Sequence, residues 1–198
     1  MTLESVKRYL ERLPHGLASY PASCVKGTVV RAVALAFQSD AELRAGLPPE
    51  TDRLLAEPPL ASAWIPEVHL NVLFSAICET RYPVAGAFET WAYEGNRTIL
   101  GGPVYRVLFG VLGPERIMIG LPNRWSAFRR GTTLVPLEVE PKRARTRLTY
   151  EPWLMPDVGL LAMRAAVRAA ADVSGARSVT VTYEEESPTS TVFSARWV

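Results

Sequence analysis

The first two thirds of the chain carry apolar residues at the spacing of α-helices. In the segment that begins at Leu3, apolar side chains recur every three or four residues, and Pro14 and Gly16 follow where a helix would stop. Pro66 and Pro83 each stand where proline favours a first helical turn. The predicted helices cover residues 3–13, 27–37, a short piece at 39–46, 66–81, 83–99 and 103–112.

The last third changes to an alternating pattern. Residues 133–140 and 143–151 alternate between apolar and polar positions around a Pro-Lys pair, which indicates a hairpin. A helix is predicted at 157–173, because that stretch is rich in alanine and leucine. Residues 178–184 and 191–198 predict a second hairpin. The predicted fold class is therefore α+β, with an N-terminal helical two thirds packed with a C-terminal ββαββ antiparallel sheet.

The length and composition are those of one globular domain. The chain has 198 residues, of which 48% are hydrophobic and 21% charged, values that exclude disordered and collagen-like proteins. It contains no repeat and no flexible linker. We therefore expect a single domain over 1–198, with the helical part at about 1–131 and the ββαββ part at about 132–198.

Charge and hydropathy limit the partners and the cellular location that we expect for this protein. The net charge of +2 does not favour a dedicated nucleic-acid-binding domain, which is usually more basic. The longest apolar stretches are interrupted by Arg31 and Arg106, so no membrane span is predicted. Without a targeting signal, the expected location is cytoplasmic, with Cys24 and Cys78 reduced.

Motifs for catalysis, metals and phosphates are missing from the sequence. The chain has two histidines, and nine helical steps from His69 to Cys78 would place these residues on opposite faces of a helix. There is no HExxH, CxxC, GxSxG or phosphate-binding glycine loop. We expect no catalytic residue, no metal and no cofactor, and an enzyme is not favoured.

One basic segment can carry binding chemistry. Arg143, Arg145 and Arg147 are predicted to project from one face of a strand, with Trp125 and Phe128 nearby in sequence. Arginine binds phosphate and aromatic rings stack on bases, so an anion- or nucleic-acid-binding module is one interpretation. The solvent-exposed face of an amphipathic strand is the other. The seven basic residues are Arg124, Arg129, Arg130, Lys142, Arg143, Arg145 and Arg147.

Several short segments resemble a known family. Residues 25–32, which read Val-Lys-Gly-Thr-Val-Val-Arg-Ala, resemble the "VKGT" opening of an uncharacterised myxobacterial paralogous family of about this length. The resemblance covers roughly residues 20–198 and implies no established activity. Its later pieces are Tyr82-Pro83, Gly95, Leu112-Gly113-Pro114-Glu115-Arg116, Leu121-Pro122-Asn123-Arg124 and Gly159.

A more remote similarity concerns the order of elements. Helices followed by ββαββ are similar to the vinyl-4-reductase and haem-NO-binding superfamily, whose members enclose a small molecule between helices and sheet. The haem-binding branch has an axial histidine shortly before a Tyr-x-Ser-x-Arg motif. Here Tyr150 is aligned with the motif's tyrosine, but Pro152 and Leu154 stand at the positions of its serine and arginine. His69 lies 81 residues upstream of Tyr150. The resemblance therefore implies an apolar ligand pocket without haem.

These observations predict a non-enzymatic sensory or interaction domain. We expect it to bind a small apolar ligand between helices and sheet, with Trp91, Phe109, Tyr105 and Trp125 as lining residues because large rigid rings suit such a site. The alternative for these residues is ordinary core packing. A protein partner or a homodimer can also cover apolar helix faces, and a small pathway enzyme without a recognisable motif is the least favoured function.

Overall fold

The computed structural model describes residues 3–102 and 113–198 and confirms the α+β class. The predicted helix at 103–112 lies outside the described residues. The helices are α1 Glu4–Arg12, α2 Gly27–Phe37, α3 Ala41–Ala45, α4 Pro49–Ala56, α5 Glu67–Thr80, α6 Ala85–Leu100, α7 Pro114–Ile119, α8 Leu121–Trp125 and α9 Asp157–Val173. The strands are β1 Cys24–Lys26, β2 Trp64–Pro66, β3 Arg129–Arg130, β4 Thr133–Glu140, β5 Arg143–Thr149, β6 Thr180–Ser187 and β7 Ser190–Arg196.

The described residues form two compact units, each assembled from separate stretches of chain. The organisation as one domain stays a prediction. The first unit comprises the residues up to Phe88 together with Phe128–Gly131 and Glu151–Gly159. The second comprises Thr132–Tyr150, Leu160–Val198 and the described part of Glu89–Ala127.

The second unit contains the predicted four-stranded antiparallel sheet, in the order β4-β5-β7-β6. Its inner face is apolar, with Leu148 and Phe193 each about 1% exposed. Helix α9 runs against this face, since the guanidinium carbon of Arg164 lies 5.5 Å from the ring centroid of Tyr183. Along β5 the alternating sequence thus places buried residues on this face and half-buried arginines on the other, as predicted.

Strand β6 is longer than its sequence indicates. The predicted first strand of the second hairpin ends at residue 184, yet β6 continues to Ser187 and the turn follows it. Arg147 on β5 donates two hydrogen bonds to the Glu186 carboxylate, at 2.8 and 3.2 Å. Because this cation offsets the local negative charge, the acidic residues can remain in the strand.

The first unit contains a small sheet that the sequence pattern did not predict. Its strands are ordered β2-β1-β3, all antiparallel, with Val25 fully buried at the centre. These strands have only two or three residues, too few to show an alternating pattern. Two features of the short helices also differ from the prediction or add to it. Helix α4 was not predicted from the sequence. Helix α3 is capped by Asp40, whose carboxylate accepts a hydrogen bond from the Leu43 N–H at 3.1 Å.

The VKGT segment holds a loop against the start of α2. The Gly27 N–H donates to the Ala63 carbonyl at 2.7 Å, and the Thr28 hydroxyl donates to the Ala61 carbonyl at 3.1 Å. A Cβ atom added at Gly27 would lie 2.1 Å from the carbonyl oxygen of Leu60. Glycine is therefore required here because the loop backbone approaches this position closely.

We expect Gly27→Ala to lower the free energy of unfolding by about 1–3 kcal/mol, the usual range for an atom forced into a packed site. Urea unfolding of the full chain measures this change. The matched control is Gly95→Ala in α6, where a Cβ meets nothing within 4 Å. That substitution should stabilise the protein by about 0.5–1 kcal/mol, since alanine is the better helix former. Equal changes in stability for Gly27→Ala and Gly95→Ala would contradict the close approach of the loop backbone to Gly27.

Candidate functional site

Helix α6 presents one polar face to α9. Arg164 Nε donates to the Glu89 carboxylate at 2.7 Å, and its Nη2 donates to the second oxygen of the same group. One helical turn later, the Tyr93 hydroxyl donates to the Asp172 carboxylate. Burial and this hydrogen bond raise the pKa of Tyr93. This face of α6 is therefore fixed by an ion pair and a charge-assisted hydrogen bond.

The apolar face of α6 carries Trp91, the first of the predicted ligand-lining residues. Trp91 is half-buried and lies three residues after Phe88, so the two side chains share one side of the helix. Phe88 is fully buried and packs edge-to-face on Phe74, with ring centroids 5.7 Å apart. Ala92 on the same side is 5% exposed. The predicted residues Tyr105 and Phe109 lie outside the described residues.

Trp125, at the end of α8, is anchored through its polar atom. The indole Nε1–H donates to the carbonyl and hydroxyl oxygens of Thr132, at 3.2 and 3.1 Å. The rest of the half-buried ring system offers apolar surface. Trp91 and Trp125 both belong to the second unit, and their role in a ligand site stays a prediction.

The arginines of β5 lie on the exposed sheet face, as their alternation predicts, and face carboxylates. Arg143 lies 3.6 Å from a carboxylate oxygen of Glu138, and Arg147 forms the two hydrogen bonds to Glu186 described above. Those bonds hold the pKa of Glu186 below its usual range. Arg145 pairs with Glu138 in the β4–β5 register. An anion at these arginines would therefore compete with carboxylates already in place.

The histidine and cysteine side chains are separate from one another. His69 Nδ1 lies 2.9 Å from the Thr51 hydroxyl, and burial lowers the pKa of this imidazole. The thiols of Cys24 and Cys78 donate to backbone carbonyls, and burial raises the pKa of both. In the ranges 3–102 and 113–198, no group of three or more His, Cys, Asp or Glu side chains is arranged to hold a metal ion. No helix in these ranges could cross a membrane.

A buried ion pair lies in the first unit and was not predicted. Glu67 begins α5, Arg129 begins β3, and their side chains are in direct contact at 1% and 7% exposure. Burial lowers the pKa of the Arg129 guanidinium, because desolvation disfavours its charged form. The pair connects two stretches that are 62 residues apart in sequence.

A buried polar network anchors residues 151–159 within the first unit. Tyr9 and Asn71 both donate to the Leu154 carbonyl, each at 2.8 Å. Asn71 in turn accepts on its backbone carbonyl from the Ser75 hydroxyl. A Cβ at Gly159 would lie 2.8 Å from Asn71 Oδ1, so glycine permits the close approach. Burial raises the pKa of Tyr9 far above its usual range, and its phenol stays neutral.

A third cluster lies on the small sheet of the first unit. The guanidinium carbon of Arg130 lies 4.0 Å from the Trp64 ring centroid, and Lys26 Nζ lies 4.5 Å from it. Arg130 is one of the seven basic residues of the segment 124–147, and no local pattern in the sequence connects it with Trp64. Neither this cluster nor the two buried ones has a local motif, since each joins residues from distant stretches of chain.

Comparisons with known proteins identify solved structures with a similar fold, but they do not assign the chain to a family. No protein-family description matches the sequence, and no curated protein matches it. Among solved structures, a point mutant of an H-NOX protein from K. algicida in its Fe(II) unliganded form is similar, with a TM-score of 0.62 at 9% identity over 87% of this chain and 96% of that one. An H-NOX mutant from T. tengcongensis gives 0.56 at 10% identity, covering 87% and 97%.

An oxygen-binding H-NOX domain related to soluble guanylate cyclases is also similar, with a TM-score of 0.55 at 8% identity over 86% of this chain and 92% of that domain. These likenesses confirm the fold implied by the remote similarity to the haem-NO-binding superfamily. At such low identity they carry the fold alone. The chain therefore has the fold of H-NOX domains.

Proposed function

We propose that this chain is a non-enzymatic sensory domain that binds a small apolar ligand. The observation that carries the proposal is the fold likeness to H-NOX domains, one of which is described as an oxygen-binding domain related to soluble guanylate cyclases. The myxobacterial family resemblance of the VKGT segment is compatible with this role, and so is a cytoplasmic location.

Haem does not fit the residues present. The chain has two histidines, of which His15 is exposed in a turn and His69 lies in α5, 81 residues before Tyr150 rather than shortly before it. The Tyr150 hydroxyl is engaged with the Thr191 hydroxyl at 2.8 Å. Leu154 stands where the haem-binding motif has its arginine, and it is fully buried and cannot offer a charged donor. The proposed ligand is therefore a small apolar molecule other than haem.

The apolar side of α6 is our proposed ligand surface. Trp91 supplies a rigid ring on this side, and the opposite face of the helix is held by Glu89 and Tyr93. Tyr105, Phe109 and Trp125 complete the proposed lining. Apolar sites of this kind derive their affinity from buried area and rigid aromatic walls.

The contacts between α6 and α9 offer a route for the signal within the second unit. A ligand that shifts α6 changes the geometry of the Glu89–Arg164 ion pair and of the Tyr93–Asp172 hydrogen bond. Helix α9 packs on the sheet through Arg164 and Tyr183. Ligand binding at Trp91 would thus bias the position of α9 against the sheet.

The test is binding of an uncharged apolar dye, N-phenyl-1-naphthylamine, to the purified full chain, with displacement by lauric acid. We expect saturable binding and a rise in melting temperature, because a ligand that binds only the native state stabilises it by mass action. Trp91→Leu should weaken dye binding about tenfold, equal to about 1.4 kcal/mol. Trp153→Leu, which removes an indole that is 44% exposed, serves as the matched control and should leave binding unchanged.

Two results would contradict the proposal. If the folded protein binds neither the dye nor the fatty acid, the ligand-binding proposal is wrong, and the remaining interpretation is a structural or partner-binding domain. If added haemin gives a stoichiometric Soret band that is lost in His69→Ala, the ligand is haem and the assignment of a different apolar molecule is wrong. Native mass spectrometry of the purified protein reports any retained ligand and the subunit count together.

A further inference from the structure

The outer face of the small sheet in the first unit carries a cluster of cations around one indole. Arg130 and Lys26 both stack on Trp64, at 4.0 and 4.5 Å from its ring centroid. Arg31 lies one helical turn into α2 and reaches the neighbouring loop at Pro58 and Pro59. We call this set, together with Leu60, the Trp64 surface.

Among the described residues, no carboxylate forms an ion pair with the cations of the Trp64 surface. Within the part of the chain that the structure describes, Lys26, Arg31 and Arg130 form no ion pair, whereas Arg143 and Arg147 on the larger sheet each do. Two positive charges held around one ring repel each other and raise the local positive potential. An oxyanion bound beside them would offset that repulsion.

The hydrogen-bond donors of these side chains are mostly unused. Lys26 donates to the Ser62 carbonyl at 3.1 Å, which engages one of its three N–H groups. The Arg130 side chain is exposed, no hydrogen bond from its guanidinium is seen within residues 3–102 and 113–198, and its guanidinium carbon lies over the Trp64 ring. A guanidinium has a planar fork of N–H donors that matches the two oxygens of a carboxylate.

An exposed apolar side chain lies on the loop that borders the cations. Leu60 is 74% exposed, and its loop is held in place by Gly27, Thr28 and Lys26 through the hydrogen bonds described above. Indole and guanidinium groups are enriched in protein-interface hot spots. Leu60 adds an apolar contact on a loop whose backbone is fixed. The VKGT segment therefore positions both the cation at Lys26 and the leucine.

We propose that the Trp64 surface binds an acidic segment of a partner protein. Carboxylates of that segment pair with Arg130 and Lys26, and an apolar side chain packs on Leu60. Charge complementarity favours such a segment, and so does the exposed leucine, which a phosphate backbone would leave without a contact. The near-neutral net charge of +2 also disfavours nucleic acid as the partner. The surface lies outside the proposed ligand-lining residues, so its test is independent of the apolar ligand.

The experiment uses a fluorescein-labelled peptide of glutamates around one central leucine, with binding to the full chain followed by fluorescence polarisation at low salt. We expect the double variant Lys26→Gln/Arg130→Gln to bind at least about tenfold more weakly, since charge-assisted hydrogen bonds are lost. The matched control Arg143→Gln/Arg145→Gln removes the same charge from β5 and should stay within about twofold of the parent. Leu60→Ser changes one exposed loop residue and should weaken binding several-fold without altering net charge.

Each other outcome overturns the proposal. An equal loss in the two double variants would mean that only overall charge matters. No binding of the peptide at low salt, or full affinity of the folded Leu60→Ser and Lys26→Gln/Arg130→Gln variants, would exclude the surface as its site. Tighter binding of a poly-deoxythymidine oligonucleotide or of phosphatidylserine vesicles, lost in Lys26→Gln/Arg130→Gln, would assign the surface to nucleic acid or membrane instead.

Discussion

Arg129→Met is expected to lower the free energy of unfolding by about 3–5 kcal/mol, among the largest effects of any single substitution in the first unit. The substitution leaves the Glu67 carboxylate buried at 1% exposure without the cation that it contacts. An uncompensated buried charge is costly because the interior cannot solvate it as water does. Urea denaturation of the full chain, followed by circular dichroism, measures the change.

Two further variants make this expectation specific. Arg147→Met breaks the exposed pair with Glu186 and should change stability little, since solvent screens such pairs. The double variant Glu67→Met/Arg129→Met should recover most of the loss, because an apolar pair of similar volume avoids burying a lone charge. A loss for Arg129→Met no greater than that for Arg147→Met would show that the buried pair is not a stabilising link between α5 and β3.

Phe88→Ala should also cost about 3–5 kcal/mol, as is usual when a large aromatic side chain is removed from a core. Phe88 is fully buried and packs edge-to-face on Phe74, so alanine leaves a cavity against that ring. Phe88→Leu fills much of the same volume and should be clearly less destabilising. The measurement is again the shift of the urea midpoint at constant slope.

Val84→Ala provides the control for Phe88, four residues away. Val84 is 67% exposed, and its truncation should stay within about 0.5 kcal/mol of the parent. Similar midpoints for Phe88→Ala and Val84→Ala would contradict the packing described for α6. Phe88 and Trp91 are three residues apart on one side of α6. The three variants therefore also measure how much the apolar side of α6 contributes to the free energy of unfolding in the absence of a ligand.

The sequence pattern predicted the longer elements closely. Helices α2 and α9 and strand β4 have the predicted bounds, and both hairpins of the larger sheet are confirmed. These elements contain enough residues for the apolar period to repeat, so each one has a recognisable buried face. The position of Trp91 on the apolar side of α6 followed from the same periodicity.

Short elements and distant contacts could not be predicted in this way. Strands β1, β2 and β3 have too few residues for a period, and they form a sheet only because three remote segments meet. In the sequence, Trp64 is an isolated aromatic residue and Arg130 is one of several basic residues, with no pattern that connects the two. Their stacking at 4.0 Å became evident only when β2 and β3 flanked β1 in one sheet.

The α+β class and the antiparallel hairpins can be predicted from the amino-acid sequence without a structure, and the sequence contains no motif for catalysis, metals or histidine-ligated haem. These features depend on the local hydrophobic period, the composition and the spacing of residues. In contrast, the pairing of Arg129 with Glu67 and the shared contact of Lys26 and Arg130 with one indole are evident only in the folded protein. Such contacts arise from packing between segments far apart in the chain, where burial removes water and makes each charge depend on its nearest partner.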